Sequence, residues 1–139
     1  MTNEVPLTYN IIKKMRTAKE LFAELNSFDE NRRIEAKSAS AVGKSMMETV
    51  CAFANEPGLC GGYLLLGAKR TGIAEDGRPI YEPENIENTD KIQSDFVAMC
   101  NSMFNVRIRT IINVEEYLGK TVIVVKIEEL PESQKPAYF

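Results

Sequence analysis

The sequence predicts an α+β fold in which helices pack on a mixed sheet of four or slightly more strands. Three observations lead to this prediction. Apolar residues recur at helical spacing in three segments, an alternating segment and an apolar run stand on either side of the middle one, and two β-rich segments near the end flank a glycine. The predicted order is α-β-α-β-α-β-β, and 139 residues suit a single domain.

The first helix and the first strand are predicted from periodicity. Within residues 1–25, apolar side chains at spacings of three and four predict an amphipathic N-terminal helix over 7–25 that ends at Asn26 and Ser27. Residues 32–37 then alternate, which predicts a short strand with one polar face. That face carries Arg33, Glu35 and Lys37.

A second helix and a buried strand follow. An apolar stripe after Lys44 predicts a helix that ends at Asn55, since asparagine tolerates the left-handed conformation common after a helix. The nearly unbroken apolar run 63–68 predicts a central strand covered on both faces. Gly61 and Gly62 come before a strand and not before a helix, so they predict close backbone packing and not a dinucleotide site.

A long loop and a third helix are predicted next. Residues 71–89 are rich in Gly, Pro, Asn and acidic residues, which is typical of a loop. Residues 90–104 return to helical spacing, with Thr89 or Asp90 as the N-terminal cap.

The last predicted elements form a β-hairpin. Strands are expected over 106–114 and 121–127, and residues 115–120 with Gly119 are expected to form the turn. The final apolar residues carry no stop signal.

Composition excludes several kinds of site. The chain contains no histidine, which excludes histidine-based zinc sites, Ser-His triads and Cys-His dyads. Its three cysteines lack CxxC spacing and cannot all pair. No apolar run approaches the ~20 residues that span a bilayer, and the N-terminus lacks a signal-peptide pattern, so a cytoplasmic location is expected.

Charge is distributed unevenly along the chain. The net charge of −3 argues against a uniformly basic nucleic-acid binder. Residues 1–72 hold ten Lys and Arg against eight Asp and Glu, whereas residues 73–139 hold seven against twelve. A local basic face in the first half is therefore compatible with the composition.

Six basic residues are the candidates for such a face. Neighbouring parallel strands would bring the end of the first strand, the start of the second helix and the end of the apolar strand to one edge of the sheet. The cations are Arg32, Arg33, Lys37, Lys44, Lys69 and Arg70, and Arg107 and Arg109 could extend the face. Such an edge can hold phosphates without distinguishing bases. Ordinary surface charge explains the same pattern equally well.

Two weaker patterns also concern phosphate chemistry. Gly43-Lys44-Ser45 resembles the end of a P-loop, but Ser38 stands where that loop requires glycine, so the tripeptide favours at most one phosphate contact at a helix N-terminus. Glu30 and Glu35 are candidate ligands of a divalent metal in a nuclease, although an ion pair of Glu35 with Lys37 accounts for the second carboxylate.

Several segments together resemble the Schlafen AlbA-like domain family. These are IEAK at 34–37 after Glu30, AFAN at 52–55, the glycine pair at 61–62, LLLG at 64–67 and the closing QKPAYF. The resemblance implies an AlbA-like sandwich that binds DNA or RNA in a bacterial regulator. It also implies a fragment of a longer protein with a downstream ATPase or winged-helix region.

The resemblance also bears on catalysis. Nuclease-active members have two glutamates at the spacing of Glu30 and Glu35 and an aspartate after the glycine-ended strand, where this chain has Lys69 and Arg70. The sequence therefore favours a domain without catalytic residues, metal or cofactor, which binds nucleic acid through the six cations. A metal-dependent nuclease and a protein-interaction or homo-oligomerisation domain are the alternatives.

Overall fold

The computed structural model of the chain describes residues 15–31, 33–38 and 43–139, without the side chain of Lys44. Its helices and strands are α1 (Ala18–Phe28), β1 (Ile34–Lys37), α2 (Lys44–Asn55), β2 (Gly62–Leu66), β3 (Ala68–Ile73), β4 (Pro79–Pro83), α3 (Thr89–Ser102), β5 (Thr110–Tyr117) and β6 (Lys120–Ile127). A short 3₁₀ helix, Glu132–Gln134, follows β6. No helix in these ranges is long and apolar enough to cross a membrane.

The main sheet is mixed and has the order β1-β2-β6-β5, and β3 and β4 form a separate two-stranded sheet. β1 and β2 run parallel, with α2 as the crossover that a parallel pair requires, while β6 runs antiparallel to β2 and to β5. The α+β class and the mixed four-stranded sheet are confirmed.

The core has two layers, one on each face of the main sheet. Alternation along β2 sends Leu64 and Leu66 to the side of α2 and α3, and sends Tyr63 and Leu65 to the side of α1. All five residues of β2 are buried. The predicted central strand with two covered faces is thereby confirmed.

Within the described residues, the helix predicted over residues 7–25 begins later and ends later than expected, so both predicted bounds are wrong. Residues 7–14 lie outside the described ranges, and α1 begins at Ala18 because Thr17 and Glu20 form a reciprocal capping box. At its other end α1 continues past Asn26 to Phe28, and Ser27 stays helical with its hydroxyl donating to the carbonyl of Ala23.

The loop predicted over residues 71–89 is also wrong, because much of this segment belongs to the β3–β4 hairpin. Its strands pair from Ala68 with Pro83 to Ile73 with Pro79. Tyr81 supplies the anchor: its ring is buried in the α1 layer and its backbone N–H donates to Asn26. A contact this distant in sequence leaves no local periodicity, and prolines at both ends of β4 suggest a loop.

The β5–β6 hairpin is confirmed but has a tighter turn than predicted. Its turn contains only Leu118 and Gly119, which have φ values of 49° and 77°. Two consecutive left-handed residues match the twist of paired strands, so β5 continues to Tyr117 and β6 starts at Lys120. The third helix is confirmed, although Asn88 occupies the cap position in place of Thr89 or Asp90.

Candidate nucleic-acid interface

An open cleft of about 730 Å³ lies between β1 and α2. Its walls come from the turn before β1, from β1 itself and from one face of α2. The lining residues are Glu30, Asn31, Ile34, Glu35, Lys37, Ser45, Glu48, Thr49, Ala52, Phe53 and Glu56. The cleft therefore brings together both predicted glutamates, one of the predicted cations and the Ser45 of the P-loop-like tripeptide.

Strand alternation explains which side chains of β1 reach the cleft. Ile34 and Ala36 pack in the α1 layer, so Glu35 and Lys37 project to the α2 side. Lys37 Nζ lies 3.5 Å from Glu35 Oε1, and the two side chains are 19% and 30% exposed. The ion pair considered from the sequence is present, and it neutralises one of the two candidate metal ligands.

Glu30 is attached to the free edge of β1. Its Oε2 accepts a hydrogen bond from the backbone N–H of Ala36 at 3.0 Å, on the side of β1 that faces away from β2. Loss of water on the cleft side, followed by repulsion from Glu35 and Asp29, raises the pKa of Glu30 above its ordinary value of 4.5. The cleft therefore makes the charged form of this carboxyl group less favourable than it is in water.

Next to Glu30, Asp29 organises a small polar network. Its carboxylate accepts hydrogen bonds from the Tyr81 hydroxyl and the Glu30 backbone, and Arg70 Nη1 lies 3.1 Å from Oδ2. The bond from Tyr81 is the main cause that lowers the pKa of Asp29. The network fixes the β3–β4 hairpin to the end of α1. No local sequence pattern reveals it, because Tyr81 is 52 residues from Asp29.

The remaining predicted cations do not form one continuous edge. Arg70 lies on the same face of β3 as Ala68, which packs in the α1 layer, so Lys69 points to the opposite face. Arg33 and Lys69 are exposed, and neither side chain makes an ion pair or hydrogen bond with another described residue. Arg32 and the side chain of Lys44 lie outside what the structure describes.

Arg107 and Arg109 do not extend this surface. They precede β5, whose first residue pairs with Ile127, and Ile127 pairs with Gly62 at the start of β2. Lys37 is instead level with Leu66 at the other end of β2. The register therefore places the two arginines at the end of the sheet opposite to Lys37, which corrects the expectation from sequence.

The N-terminus of α2 provides a second polar feature of the cleft. Gly43 occupies the cap position and has no side chain to bond the first backbone N–H groups, and Ser45, in the first turn, is exposed and lines the cleft. Backbone N–H groups that no described side chain caps, together with the helix dipole, favour an anion at this position. The α2 wall also carries Glu48, one turn after Ser45, and Glu56 at the C-terminal end of the helix, and their helical spacing could have revealed them in the sequence.

Among the described residues, no group of three Cys, Asp or Glu side chains is placed to hold a metal ion. Glu30 and Glu35 line one cleft, but Asp29 is engaged by Tyr81 and Arg70. Of the four carboxylates that line the cleft, the two predicted metal ligands are Glu30 and Glu35, and Glu35 is paired with Lys37.

The Glu30→Gln variant is expected to be more stable than the wild type at pH 7–8, and this difference is expected to shrink as the pH falls to 4. A raised pKa means that the folded state binds the proton more tightly than the unfolded chain, so the wild type loses stability as pH rises from 4.5 through the folded pKa. Glutamine keeps an acceptor for Ala36 without a charge. Urea unfolding of both proteins across this range tests the prediction, with the exposed Glu75→Gln as control. A difference between Glu30→Gln and wild type that is independent of pH would contradict it.

The fold and the cleft define a small α+β domain whose edge strand and crossover helix enclose a polar groove. The family model of Schlafen, AlbA_2 matches residues 30–139, and the chain belongs to this family. The resemblance seen in the sequence is therefore confirmed.

Solved structures that are similar to this chain include the following two. The first is the solution NMR structure of the N-terminal domain of a RecG-related protein from Nitrosomonas europaea, whose name also refers to an ATP-dependent DNA helicase. It is 50% identical with a TM-score of 0.81, over 89% of this chain and 80% of that one. The second, the DIP2311 protein from Corynebacterium diphtheriae, is 17% identical with a TM-score of 0.46, over 86% of this chain and 23% of that one, and supports no argument. The search of curated proteins gave no match.

Proposed function

We propose that this domain binds the phosphate backbone of DNA or RNA, as one module of a longer bacterial regulator. One observation carries the proposal: the N-terminus of α2, whose cap residue Gly43 has no side chain, opens on the cleft that Lys37 and Ser45 line. Backbone N–H groups, a hydroxyl and an ammonium group are the donors that commonly contact phosphates, and they do so without recognising bases.

The surrounding charges determine where a nucleic-acid strand would run. Glu48 and Glu56 on the α2 wall repel a strand from the middle of the cleft, so it would follow the rim. In this proposal the strand continues to the exposed Arg33 and Lys69, which make no ion pair within the described residues. Lys37 and Arg70 sit in partly exposed ion pairs, which are worth only ~0–1 kcal/mol and can be exchanged for a phosphate. Arg32 and Lys44 complete the proposed set on sequence grounds.

Family membership and the neighbour support this proposal. The Nitrosomonas europaea protein, whose N-terminal domain is 50% identical, carries a name that refers to a DNA helicase. An accessory domain that holds the nucleic-acid backbone would suit a longer protein of that kind.

Titration of labelled single-stranded and duplex DNA and RNA, followed by fluorescence anisotropy at several salt concentrations, tests the proposal. The double variant Lys37→Gln/Lys69→Gln is expected to reduce the slope of log K against log salt by about 2, because each phosphate contact contributes roughly 1. Lys91→Gln on α3 is the matched control, since its exposed ammonium pairs only with Asp95.

Either of two results would reject backbone binding. One is the absence of binding to every nucleic acid at low salt, and the other is a salt slope unchanged in the double variant. In that case, light scattering on the same samples tests the protein-interaction alternative. Self-association of the domain without nucleic-acid affinity would support it.

A metal-dependent nuclease is the second candidate, and one observation favours it. Glu30 and Glu35 line the same cleft, and their mutual repulsion, which contributes to the raised pKa of Glu30, would be relieved by a divalent cation. Incubation with tRNA and single-stranded DNA in Mn²⁺ should then give cleavage that Glu35→Ala abolishes. Cleavage that persists in the variant would exclude this site.

A further inference from the structure

A second, smaller cavity of about 290 Å³ lies at the end of the sheet opposite to the cleft. Arg107 and Arg109 form one wall, Glu128 and Glu129 another, and Leu130 and Pro131 add apolar surface. The volume is close to the lower end of the ~300–1,000 Å³ range of small-molecule sites. None of these residues takes part in the proposed backbone contact.

The backbone holds the two arginines side by side. They belong to the extended segment before β5, where the carbonyl of Arg109 accepts a hydrogen bond from the Glu128 N–H at 3.1 Å. Ile108 between them is 2% exposed in the core, so the side chains of Arg107 and Arg109 project to the same side. Neither guanidinium makes an ion pair or hydrogen bond within residues 15–31, 33–38 and 43–139.

The acidic wall is partly neutralised. Glu129 Oε2 lies 2.7 Å from Lys135 Nζ, and its Oε1 accepts the backbone N–H of Cys60 at 3.2 Å. Glu128 has no side-chain partner among the described residues, so two guanidinium groups face one uncompensated carboxylate. A ligand that satisfies this cavity carries an anionic group for the arginines and a hydroxyl or amino donor for Glu128.

We propose that this cavity binds the phosphate monoester of a ribose, either in a free mononucleotide or at the 5′-phosphate end of an RNA strand. Paired guanidinium groups bind a terminal phosphate through several charge-assisted hydrogen bonds at once. Glu128 accepts from a ribose hydroxyl, which an isolated inorganic phosphate cannot offer. The proposal is independent of the backbone contact at α2.

Titrations of the full chain, followed by amide and guanidinium NMR shifts, test the site with AMP, adenosine and inorganic phosphate. Arg107→Gln/Arg109→Gln is expected to weaken AMP binding at least about tenfold, whereas Arg78→Gln/Lys91→Gln, which removes the same charge from exposed pairs elsewhere, leaves it unchanged. Glu128→Gln should strengthen the binding of inorganic phosphate, because it removes a repelling charge.

The source of the phosphate is distinguished by 5′-phosphorylated and 5′-hydroxyl RNA oligonucleotides of one sequence. A preference for the phosphorylated strand that disappears in Arg107→Gln/Arg109→Gln identifies a strand end, and equal binding of both strands beside tight AMP binding identifies the free nucleotide. Adenosine that binds as well as AMP, no saturable AMP binding, or equal AMP affinity in both double variants would overturn the site. Lys37→Gln/Lys69→Gln should leave AMP binding intact, so failure of the backbone proposal is seen separately.

Discussion

Gly61→Ala is expected to lower the free energy of unfolding by about 3–5 kcal/mol, because two penalties combine at this position. Gly61 has a φ of +85°, a backbone conformation that residues other than glycine adopt only at a cost in free energy. A Cβ atom there would also lie 1.8 Å from the carbonyl oxygen of Ile127. That oxygen belongs to β6, so the clash could be relieved only by moving β2 and β6 apart at the start of their pairing.

Gly58→Ala separates the two penalties. Gly58 has nearly the same φ, +81°, but a Cβ atom there would meet no heavy atom within 4 Å. It should therefore cost only ~1–2 kcal/mol for the backbone conformation. Urea unfolding of both variants measures the difference. Equal losses of stability would show that the clash with Ile127 does not contribute to the destabilisation.

The glycine pair shows how far local sequence can predict packing. Two adjacent glycines before an apolar run predict a close backbone approach, and the structure confirms it at both positions. A Cβ atom on Gly62 would lie 2.5 Å from the ring of Phe53. The sequence does not reveal which atoms approach, because β6 and α2 reach this point from distant parts of the chain.

The same distinction applies to the fold as a whole. Elements with a clear period were predicted, including α2, α3 and the apolar strand β2, because a buried face imposes that period. The β3–β4 hairpin was missed because one distant partner layer, α1, stabilises it through Tyr81. The β-propensity of a segment depends on its own residues, so it cannot reveal a packing partner that is distant in sequence.

For the candidate site, alternation in β1 correctly predicted that Glu35 and Lys37 share a face, and the structure places them 3.5 Å apart. Alternation could not reveal that Lys69 and Arg70 lie inside a separate strand, β3, and not at the end of the apolar strand as expected from the sequence. A glycine with a φ of +90°, Gly67, separates the two strands.

Asn55→Ala is expected to lower the free energy of unfolding by about 2–3 kcal/mol, the second large loss of stability that we predict. The Asn55 side chain makes two hydrogen bonds with the backbone of Ala137. Asn55 Oδ1 accepts from the Ala137 N–H at 2.7 Å, and Asn55 Nδ2 donates to the Ala137 carbonyl at 3.0 Å. Ala137 is 3% exposed, so removing the amide leaves a buried N–H without a partner. Asn101→Ala, on the exposed side of α3, is the matched control and should not destabilise the domain.

The thiol of Cys51 provides a local readout of the same substitution. Cys51 Sγ donates to the Ala137 carbonyl at 3.1 Å, and burial raises the pKa of this thiol, so the wild type should be alkylated slowly at this position. If Asn55 holds the segment around Ala137 in place, Asn55→Ala should increase the alkylation rate at Cys51 while leaving the exposed Cys60 unchanged. Mass spectrometry distinguishes the two sites. Global unfolding would instead accelerate alkylation of the buried Cys100 equally, and that result would show that Asn55 stabilises the whole domain and not this segment alone.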